Sequence, residues 1–409
     1  MIRKMNNNHF GHALLFSIII LIISMLNHEK GILYGGYSQD AVGDSTPRFK
    51  GVDMRGLYTS LQNARFSAPF PDDYYDTSFR LISQAGMNHI RYVFYWEAYE
   101  KNPLSFMEEL KHVSSLADKW GLNVIYDNHQ FHTSSWLNPQ GGAGFPTYLF
   151  RNNVSYPFNS GGTPSDTSAA KWWTDWWDRR INDVSSRDGW TLQAEFLKKV
   201  VSTVDNNPST VGYEILSEPE VHSADQWKKI GKYNTFMVDK LREVTKKDII
   251  FSMAIPVDFQ SNIGVNAQNI AKMAPVNKTN VIFKFSMYGV ASPDSYQEQR
   301  LNMFIKTGQL AEVPVYIGEW NNVQRDEVMN EKGDFDYIIN NATSDLNQTT
   351  LDTMIKKFSD IGAWGWAFWS WNYIPTAPPN FNLITVTSDG NIQTTKYYDM
   401  IKKSISNMT

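Results

Sequence analysis

Short apolar runs rich in β-branched and aromatic residues alternate along most of this chain with longer amphipathic stretches. Runs that are apolar on both faces are typical of strands in a parallel sheet covered on each side. The stretches between them carry the spacing of amphipathic helices. The runs predicted as strands are Gly51–Leu57, His89–Tyr95, Leu122–Asn128, Val211–Ser217, Ile249–Ile255, Val281–Tyr288, Val313–Gly318 and Ala363–Ser370.

Glycine marks the ends of several predicted helices, as expected where a chain leaves a helix through a left-handed residue. The predicted helices are Tyr74–Ala85 before Gly86, Ser105–Trp120 before Gly121, Asp225–Val244, and one from Leu351 that stops before Gly362. Strands and helices in alternation predict an α/β protein with a single (β/α)8 TIM barrel. The rival is a doubly wound open sheet, which a glycine-rich phosphate loop after the first strand would favour. Gly51–Gly56 begins a strand instead.

The N-terminus has the pattern of an export signal. Arg3 and Lys4 precede the apolar run Ala13–Leu26, which is shorter than the roughly 20 residues that span a bilayer. No small-residue cleavage site follows, so an uncleaved signal-anchor competes with a signal peptide, and a helix of the folded domain is a third alternative. We assign residues 1–30 to this segment, 31–50 to a linker and 51–409 to the barrel. The barrel is expected to be secreted, or tethered to the outer face of the membrane through residues 13–26.

Composition excludes several classes of function. The chain has no cysteine, which rules out disulfides and cysteine-ligated metals. Its formal net charge is −4 and no basic stripe is present, so nucleic acid is not an expected partner. No histidine and carboxylate spacing on one helix suggests a zinc site, and no cofactor motif is present. We expect a monomer that works without metal or cofactor.

One interval, between Asn128 and Thr191, breaks the alternation and leaves the carboxyl end of the third predicted strand, where barrel enzymes place their active sites. It is rich in tryptophan. The pattern of Trp172, Trp173, Trp176 and Trp177 fits one face of a helix and favours a small core of the insertion itself. Trp136 is the better candidate for contacting a substrate.

Two of the predicted strands end in a glutamate, Glu218 after the fourth and Glu319 after the seventh. Glycoside hydrolysis needs two carboxyl groups across the scissile bond: one protonates the leaving oxygen, and the other attacks carbon one or activates water. A separation of about 5–5.5 Å gives retention of configuration, and about 6.5–9.5 Å gives inversion. Two neighbouring carboxylates also raise the pKa of one of them, so one is protonated while the other is ionised.

Six segments resemble glycoside hydrolase family 5. They are NHIRYVFYWEAYEKNP at 88–103, NVIYDNHQ at 123–130, YEILSEPE at 213–220, FKFSMYG at 283–289, VYIGEWN at 315–321 and WGWAFWSW at 364–371. The resemblance implies that Glu218 is the general acid/base and Glu319 the nucleophile. It also implies that Arg91 and Tyr288 hydrogen-bond the nucleophile, that His129 lines the sugar site and that Trp369 forms its floor. Two alternatives remain for this set: Arg91 as a buried structural partner of Glu214, and His129 as a core histidine.

Two positions depart from the family pattern. Ser217 stands where the family usually has an asparagine that binds the sugar 2-hydroxyl, and Ser286 stands where it usually has a histidine. Ser217 remains a candidate for binding the substrate. The resemblance implies a retaining endo-β-glycosidase acting on a β-linked polysaccharide or oligosaccharide. The alternatives are a carbohydrate-binding barrel with weak catalysis and a transglycosylase.

Overall fold

The computed structural model describes residues 47–61, 70–139, 142–151, 166–253, 263–321, 326–329, 335–338, 347–372 and 382–408. The export segment at residues 13–26, and with it the boundary between leader and linker, lies outside these ranges. Among the helices within them, none is both long enough and apolar enough to cross a membrane.

Eight parallel strands close into a barrel, each hydrogen-bonded to the next along the chain and the last to the first. The predicted (β/α)8 barrel is therefore confirmed. The strands are β1 Phe49–Arg55, β2 His89–Phe94, β3 Asn123–Asn128, β4 Thr210–Glu214, β5 Asp248–Ser252, β6 Val281–Tyr288, β7 Val315–Asn321 and β8 Gly365–Phe368. Two antiparallel hairpins lie outside the barrel, Asp326–Met329 with Phe335–Ile338 and Ile384–Val386 with Ile392–Thr394.

Helices connect the barrel strands. They are α1 Tyr74–Gln84, α2 Trp96–Lys101, α3 Pro103–Trp120, α4 Tyr148–Arg151, α5 Asp166–Trp177, α6 Gly189–Val204, α7 Gln226–Arg242, α8 Ala267–Ile270, α9 Tyr296–Ala311, α10 Gln348–Asp360 and α11 Lys396–Ser406, with a 3-10 turn at Ala271–Met273. Helix α3 shows how the sequence sets such bounds. The Asn102 side chain accepts from the Ser105 backbone N–H at its start, and Gly121 ends it in the left-handed region at φ 65°.

The tryptophans of the insertion after β3 are buried. Trp172, Trp173, Trp176 and Trp177 are at most 2% exposed. The indole N–H of Trp173 donates to Thr133 Oγ1 at 3.0 Å, and that of Trp177 donates to the Glu220 carbonyl at 2.8 Å. These four residues pack against one another, as predicted, but they do not form a separate core of the insertion. Their cluster is continuous with the core between the barrel and its helices.

The barrel interior has two levels. The lower level is apolar and is called the barrel floor here: Phe49, Ile125, Ile250, Ile282, Tyr316, Trp364 and Ala367. Toward the carboxyl ends of the strands the interior becomes ionic. This charged layer consists of Asp53, Arg91, Asp127, Glu214, Lys284 and Glu319, all nearly or wholly buried.

Strand β7 contains a bulge that decides where Glu319 points. Phe285 pairs with Ile317 but Ser286 pairs with Glu319, so one residue of β7, Gly318, has no counterpart on β6. The pairing with β8 is shifted at the same place. Side chains alternate between the two faces of a strand, so Glu319 in a regular strand would face away from the interior side of Tyr316. The extra residue turns Glu319 into the barrel.

Of the strand ends that differ from their predicted positions, two concern the site glutamates. Strand β4 ends at Glu214, although the apolar run continues to Leu216. The following residues keep single backbone hydrogen bonds to the neighbouring strands, from Ile215 N–H to the Ile250 carbonyl and from Ser217 N–H to the Asn128 carbonyl, both at 2.9 Å. Glu218 itself has a positive φ of 47°. Strand β7 extends through Asn321, and so Glu319 lies within the strand.

Candidate active site

Glu319 lies at the mouth of the barrel with both carboxylate oxygens engaged. Its Oε1 accepts from Lys284 Nζ at 2.9 Å and from Arg91 Nη1 at 3.0 Å, and its Oε2 accepts from Tyr288 Oη at 2.9 Å. The Ser217 hydroxyl lies 3.4 Å from Oε1. Two cations and a phenol against one carboxylate favour its ionised form. These contacts bring Arg91, Ser217 and Tyr288, three of the predicted site residues, to Glu319.

Glu218 lies beside it on the turn that follows β4. Its Oε1 accepts from the Ser286 hydroxyl at 2.7 Å and lies 3.7 Å from Lys284 Nζ. Its backbone is held on both sides. The N–H donates to Ser252 Oγ at 3.1 Å, and the carbonyl accepts from the Gln130 side-chain amide at 2.6 Å. Since Lys284 Nζ is 2.9 Å from Glu319 Oε1 and 3.7 Å from Glu218 Oε1, these two oxygens are no farther apart than the sum of those distances.

The two glutamates have opposite tendencies to ionise. Burial, together with the negative charge of Glu319, raises the pKa of Glu218 to about 7, and the nearby Lys284 and Ser286 offset only part of this. Burial alone would also raise the pKa of Glu319, but Lys284 and Arg91 outweigh burial and hold that pKa well below its ordinary range. Around neutral pH the site therefore holds one ionised carboxylate and one carboxyl group that is still partly protonated.

Arg91 connects the site to the charged layer beneath it. The guanidinium is wholly buried and pairs with Asp53 at 2.7 Å, Glu214 at 2.7 Å, Asp127 at 2.9 Å and Glu319 at 3.0 Å. The same side chain thus makes both contacts considered for it from the sequence, with Glu214 and with Glu319. Its role toward a substrate stays a prediction.

His129 and Trp369 form an aromatic wall beside the carboxylates. Their rings stack at a centroid distance of 5.5 Å with an interplanar angle of 17°. His129 Nδ1 lies 2.8 Å from Asp127 Oδ2, and burial lowers the pKa of His129 to about 3. The imidazole is therefore neutral, in contact with both the charged layer and Trp369. The Arg55 guanidinium lies over the Trp369 ring, with its Cζ 5.2 Å from the ring centroid.

Trp136 lies in the turn after β3. It is partly buried, and its backbone N–H donates to Ser134 Oγ at 3.2 Å. Its assignment as a substrate contact stays a prediction.

Lys284 is the member of this site that sequence reasoning missed. It stands in an otherwise apolar and aromatic strand. The family pattern marks Ser286 and Tyr288, two and four residues further on, and not Lys284. Its same-face spacing with those residues was the available signal, since all three lie on one face of β6. In the ranges that the structure describes, no three His, Cys, Asp or Glu side chains are grouped so as to hold a metal ion.

A barrel that carries an ionised glutamate and a protonated glutamate at its strand ends is the arrangement used by glycoside hydrolases. The family model for Cellulase (glycosyl hydrolase family 5) matches residues 48–374. The chain belongs to glycosyl hydrolase family 5. Endoglycoceramidase of Hydra vulgaris is 26% identical over 222 residues, which cover 47% of this chain and 40% of that protein. The match thus spans less than half of that relative's length.

Solved structures share the fold. Endogalactoceramidase superposes with a TM-score of 0.64 at 16% identity, over 88% of this chain and 80% of that one. Endo-glycoceramidase II from Rhodococcus sp., solved with ganglioside GM3, gives 0.60 at 13% identity, over 87% and 78%. XacCel5A with cellopentaose gives 0.51 at 16% identity, over 88% and 99%. At these identities the similarity establishes the common barrel fold.

Proposed function

We propose that this protein hydrolyses a β-glycosidic bond with retention of configuration, with Glu319 as nucleophile and Glu218 as general acid and base. The observation that carries the proposal is the unequal ionisation of the two glutamates around one lysine. Glu319 is held ionised by Lys284 and Arg91, whereas burial raises the pKa of Glu218 to about 7. A covalent glycosyl-enzyme route needs this combination of an ionised nucleophile and a protonated acid.

The route has two steps. In the first, Glu319 attacks carbon one of the sugar while Glu218 protonates the leaving oxygen, which gives a glycosyl ester on Glu319. In the second, Glu218 removes a proton from water, the water oxygen attacks carbon one, and Glu319 departs. Tyr288, at 2.9 Å from Glu319 Oε2, steadies the attacking carboxylate. The wall of Trp369 and His129 offers an aromatic face to the apolar side of a sugar ring.

We propose a glycolipid as the substrate, an oligosaccharide joined by a β-bond to a lipid alcohol. The support comes from the relatives, since the Hydra protein and two of the solved structures are named for action on glycosylated ceramide. Exposed aromatic side chains near the mouth of the barrel are compatible with an apolar leaving group: Tyr58 after β1 is 46% exposed and Phe131 after β3 is 42% exposed. A β-linked glucan is the second candidate, favoured by the similarity to a structure that holds cellopentaose.

The test is a product-analysed screen of glucosyl- and lactosylceramide, β-1,4-glucan, β-1,3-glucan and mannan. Wild type is expected to release intact oligosaccharide from the glycolipid. Glu319→Gln should remain folded and lose about 10⁴-fold or more of the activity, because it cannot form the ester. Glu243→Gln, a surface glutamate paired with Lys198 and Lys240, is the matched control and should retain full activity.

Other results would point to the alternatives. Turnover by Glu319→Gln at the wild-type rate would overturn the assignment of the nucleophile. Binding of glycans without sugar release by wild type would favour the carbohydrate-binding barrel, and products longer than the substrate would favour a transglycosylase. Chemical rescue gives a direct check. With azide and an aryl β-glycoside, Glu319→Ala should form the α-glycosyl azide, in which azide has taken the place of the carboxylate.

A further inference from the structure

Lys284 is a buried cation placed between two catalytic carboxylates. Its ammonium lies 2.9 Å from Glu319 Oε1, 3.7 Å from Glu218 Oε1 and 4.0 Å from Glu214 Oε1, and its side chain has no exposed surface. A buried charge is costly unless other charges and hydrogen bonds compensate it. Here the ammonium also contacts the Ser217 hydroxyl at 3.2 Å. The Lys284 ammonium is therefore held by Ser217 on the turn after β4 as well as by Glu319 on β7.

The neighbouring residues leave room for this side chain. A Cβ added to Gly318 would lie 2.5 Å from Lys284 Cγ and 2.7 Å from Lys284 Cε, so the lysine stem packs directly on the glycine backbone. Ser217 has a short side chain, and its hydroxyl contacts the Lys284 ammonium at 3.2 Å. A longer amide side chain at position 217 would extend into the same space. Gly318 and Ser217, from different parts of the barrel, thus both admit Lys284.

We propose that Lys284 is a positioning residue that balances the negative charge on whichever of Glu319 and Glu218 carries it during the reaction. The proposal rests on the function proposed above and deepens it. In the first step an electron pair of Glu319 forms the bond to carbon one. The bond from carbon one to the leaving oxygen breaks with its pair, and the proton of Glu218 passes to that oxygen. Negative charge has then moved from Glu319 to Glu218, and the second step returns it.

The geometry assigns this role to Lys284 in preference to Arg91. The Arg91 guanidinium reaches Glu319 at 3.0 Å, but its other ion pairs are with Asp53, Asp127 and Glu214 in the charged layer below. The Lys284 ammonium lies within 4 Å of both glutamates that exchange the charge. A fixed cation between them stabilises both states without having to move, which is how preorganised charges lower a barrier.

The charge state of Lys284 agrees with this role. Burial by itself would lower its pKa, but Glu319 and the other nearby carboxylates raise that pKa above its ordinary value, against the opposing effect of Arg91. The lysine is therefore protonated throughout the neutral range. The charged and titratable groups that surround it in the barrel are Asp53, Arg91, Asp127, His129, Glu214, Glu218 and Glu319.

The test replaces the ammonium by an uncharged side chain of similar length, Lys284→Met, in the full chain. The carboxyl signals of glutamate, labelled with ¹³C and assigned with Glu218→Gln and Glu319→Gln, report the pKa of each residue without any substrate. Loss of the shared cation should raise both pKa values, by about 1 unit or more for Glu319. Both limbs of the profile of kcat/KM against pH should move to higher pH, and kcat/KM at its optimum should fall about 100-fold.

Controls keep the outcomes separate. Met287→Leu changes a buried neighbour on β6 outside the site and should leave both glutamate pKa values unchanged. Unshifted pKa values in folded Lys284→Met would overturn the proposal. If Lys284→Met does not fold, Gly318→Ala keeps the ammonium but displaces its stem, and it should raise the pKa of Glu319 by a smaller amount; no rise would overturn the proposal. A wild type that hydrolyses nothing would contradict the proposed function alone, because the NMR titration reports the charge coupling independently.

Discussion

The barrel floor and the charged layer are built by the same strands and differ in almost every physical property. Moving a few residues along one strand changes an apolar side chain into an ionic one. The pairs are Phe49 and Asp53 on β1, Ile125 and Asp127 on β3, Ile282 and Lys284 on β6, and Tyr316 and Glu319 on β7. The difference shows that this fold separates apolar packing from ionic chemistry by depth in the barrel, and not by domain.

A neutral polar pair lies at the boundary between these two levels. His89 Nε2 is 2.7 Å from Tyr316 Oη, and burial lowers the pKa of His89 to about 3. The imidazole thus carries no charge at neutral pH. The boundary therefore adds no cation that would compete with Arg91 and Lys284 for the carboxylates above.

After Glu319→Gln, the largest expected effect comes from a change at Glu218, which lies beside the charged layer. Glu218→Gln removes the proton donor, so kcat/KM should fall by about 10²- to 10⁴-fold. Burial and the negative charge of Glu319 raise the pKa of Glu218 to about 7, so wild-type activity should decline as the pH rises above about 7 and the acid loses its proton. The variant cannot lose that proton, so this alkaline decline should disappear from its pH profile.

Glu220→Gln provides the control for that measurement. Glu220 lies two residues further on and pairs with His222 at 2.9 Å. The Glu220→Gln variant should preserve both the wild-type kcat/KM and its decline at alkaline pH. An unchanged decline in Glu218→Gln would show that another group titrates there.

Arg91 should give the next largest effect, on stability. Arg91→Met leaves the wholly buried Asp53, Asp127 and Glu214 without their shared cation, and removing one partner of a buried pair costs about 3–5 kcal/mol. Chemical denaturation at pH 7 would measure the loss in the free energy of unfolding. Burial already raises the pKa values of Asp53, Asp127 and Glu214. The loss should therefore shrink as the pH falls and these carboxylates become neutral.

A surface arginine sets the scale for that result. Arg187 pairs with Asp183 and Glu195, and its side chain is 53% exposed. Arg187→Met should cost less than about 1 kcal/mol, because exposed ion pairs contribute little. Equal losses in the two variants would mean that Arg91 does not hold the charged layer together.

The pattern of apolar runs predicts the floor better than the layer above it. Inward residues such as Ile125 and Ile282 lie in strands whose composition already requires burial, and the alternation with helices then leads to a barrel. Glu319 is different. The sequence predicts a glutamate at the end of this strand, but in a regular strand the Glu319 side chain would point away from the barrel interior. The register shift at Gly318 that corrects its direction depends on pairing with both neighbours, which no local pattern contains.

The same reasoning applies to Lys284 and Arg91. A single lysine among aromatic residues is as typical of an edge strand as of a buried cation. Lys284 can be buried because three carboxylates, from β4, from β7 and from the turn after β4, lie within 4 Å of its ammonium. Arg91 could be predicted either as a partner of Glu214 or as a ligand of the nucleophile. The structure shows one guanidinium in both positions.

The smallest expected effects come from two substitutions on one strand, one in the barrel floor and one beside the site. Ile250 in the floor and Ser252 beside the turn after β4 lie two residues apart on β5, on the same face. Ile250→Val removes one buried methylene and should cost about 0.5–1.5 kcal/mol of unfolding free energy with unchanged kcat/KM. Ser252→Ala removes the hydroxyl that accepts from the Glu218 backbone N–H at 3.1 Å, and should lower kcat/KM while changing stability by about 1 kcal/mol. Denaturation curves and pH-rate profiles of both variants would measure this. A shifted pH profile in Ile250→Val would show that the floor and the charged layer are coupled, and would remove the basis for treating depth in the barrel as the division between apolar packing and ionic chemistry.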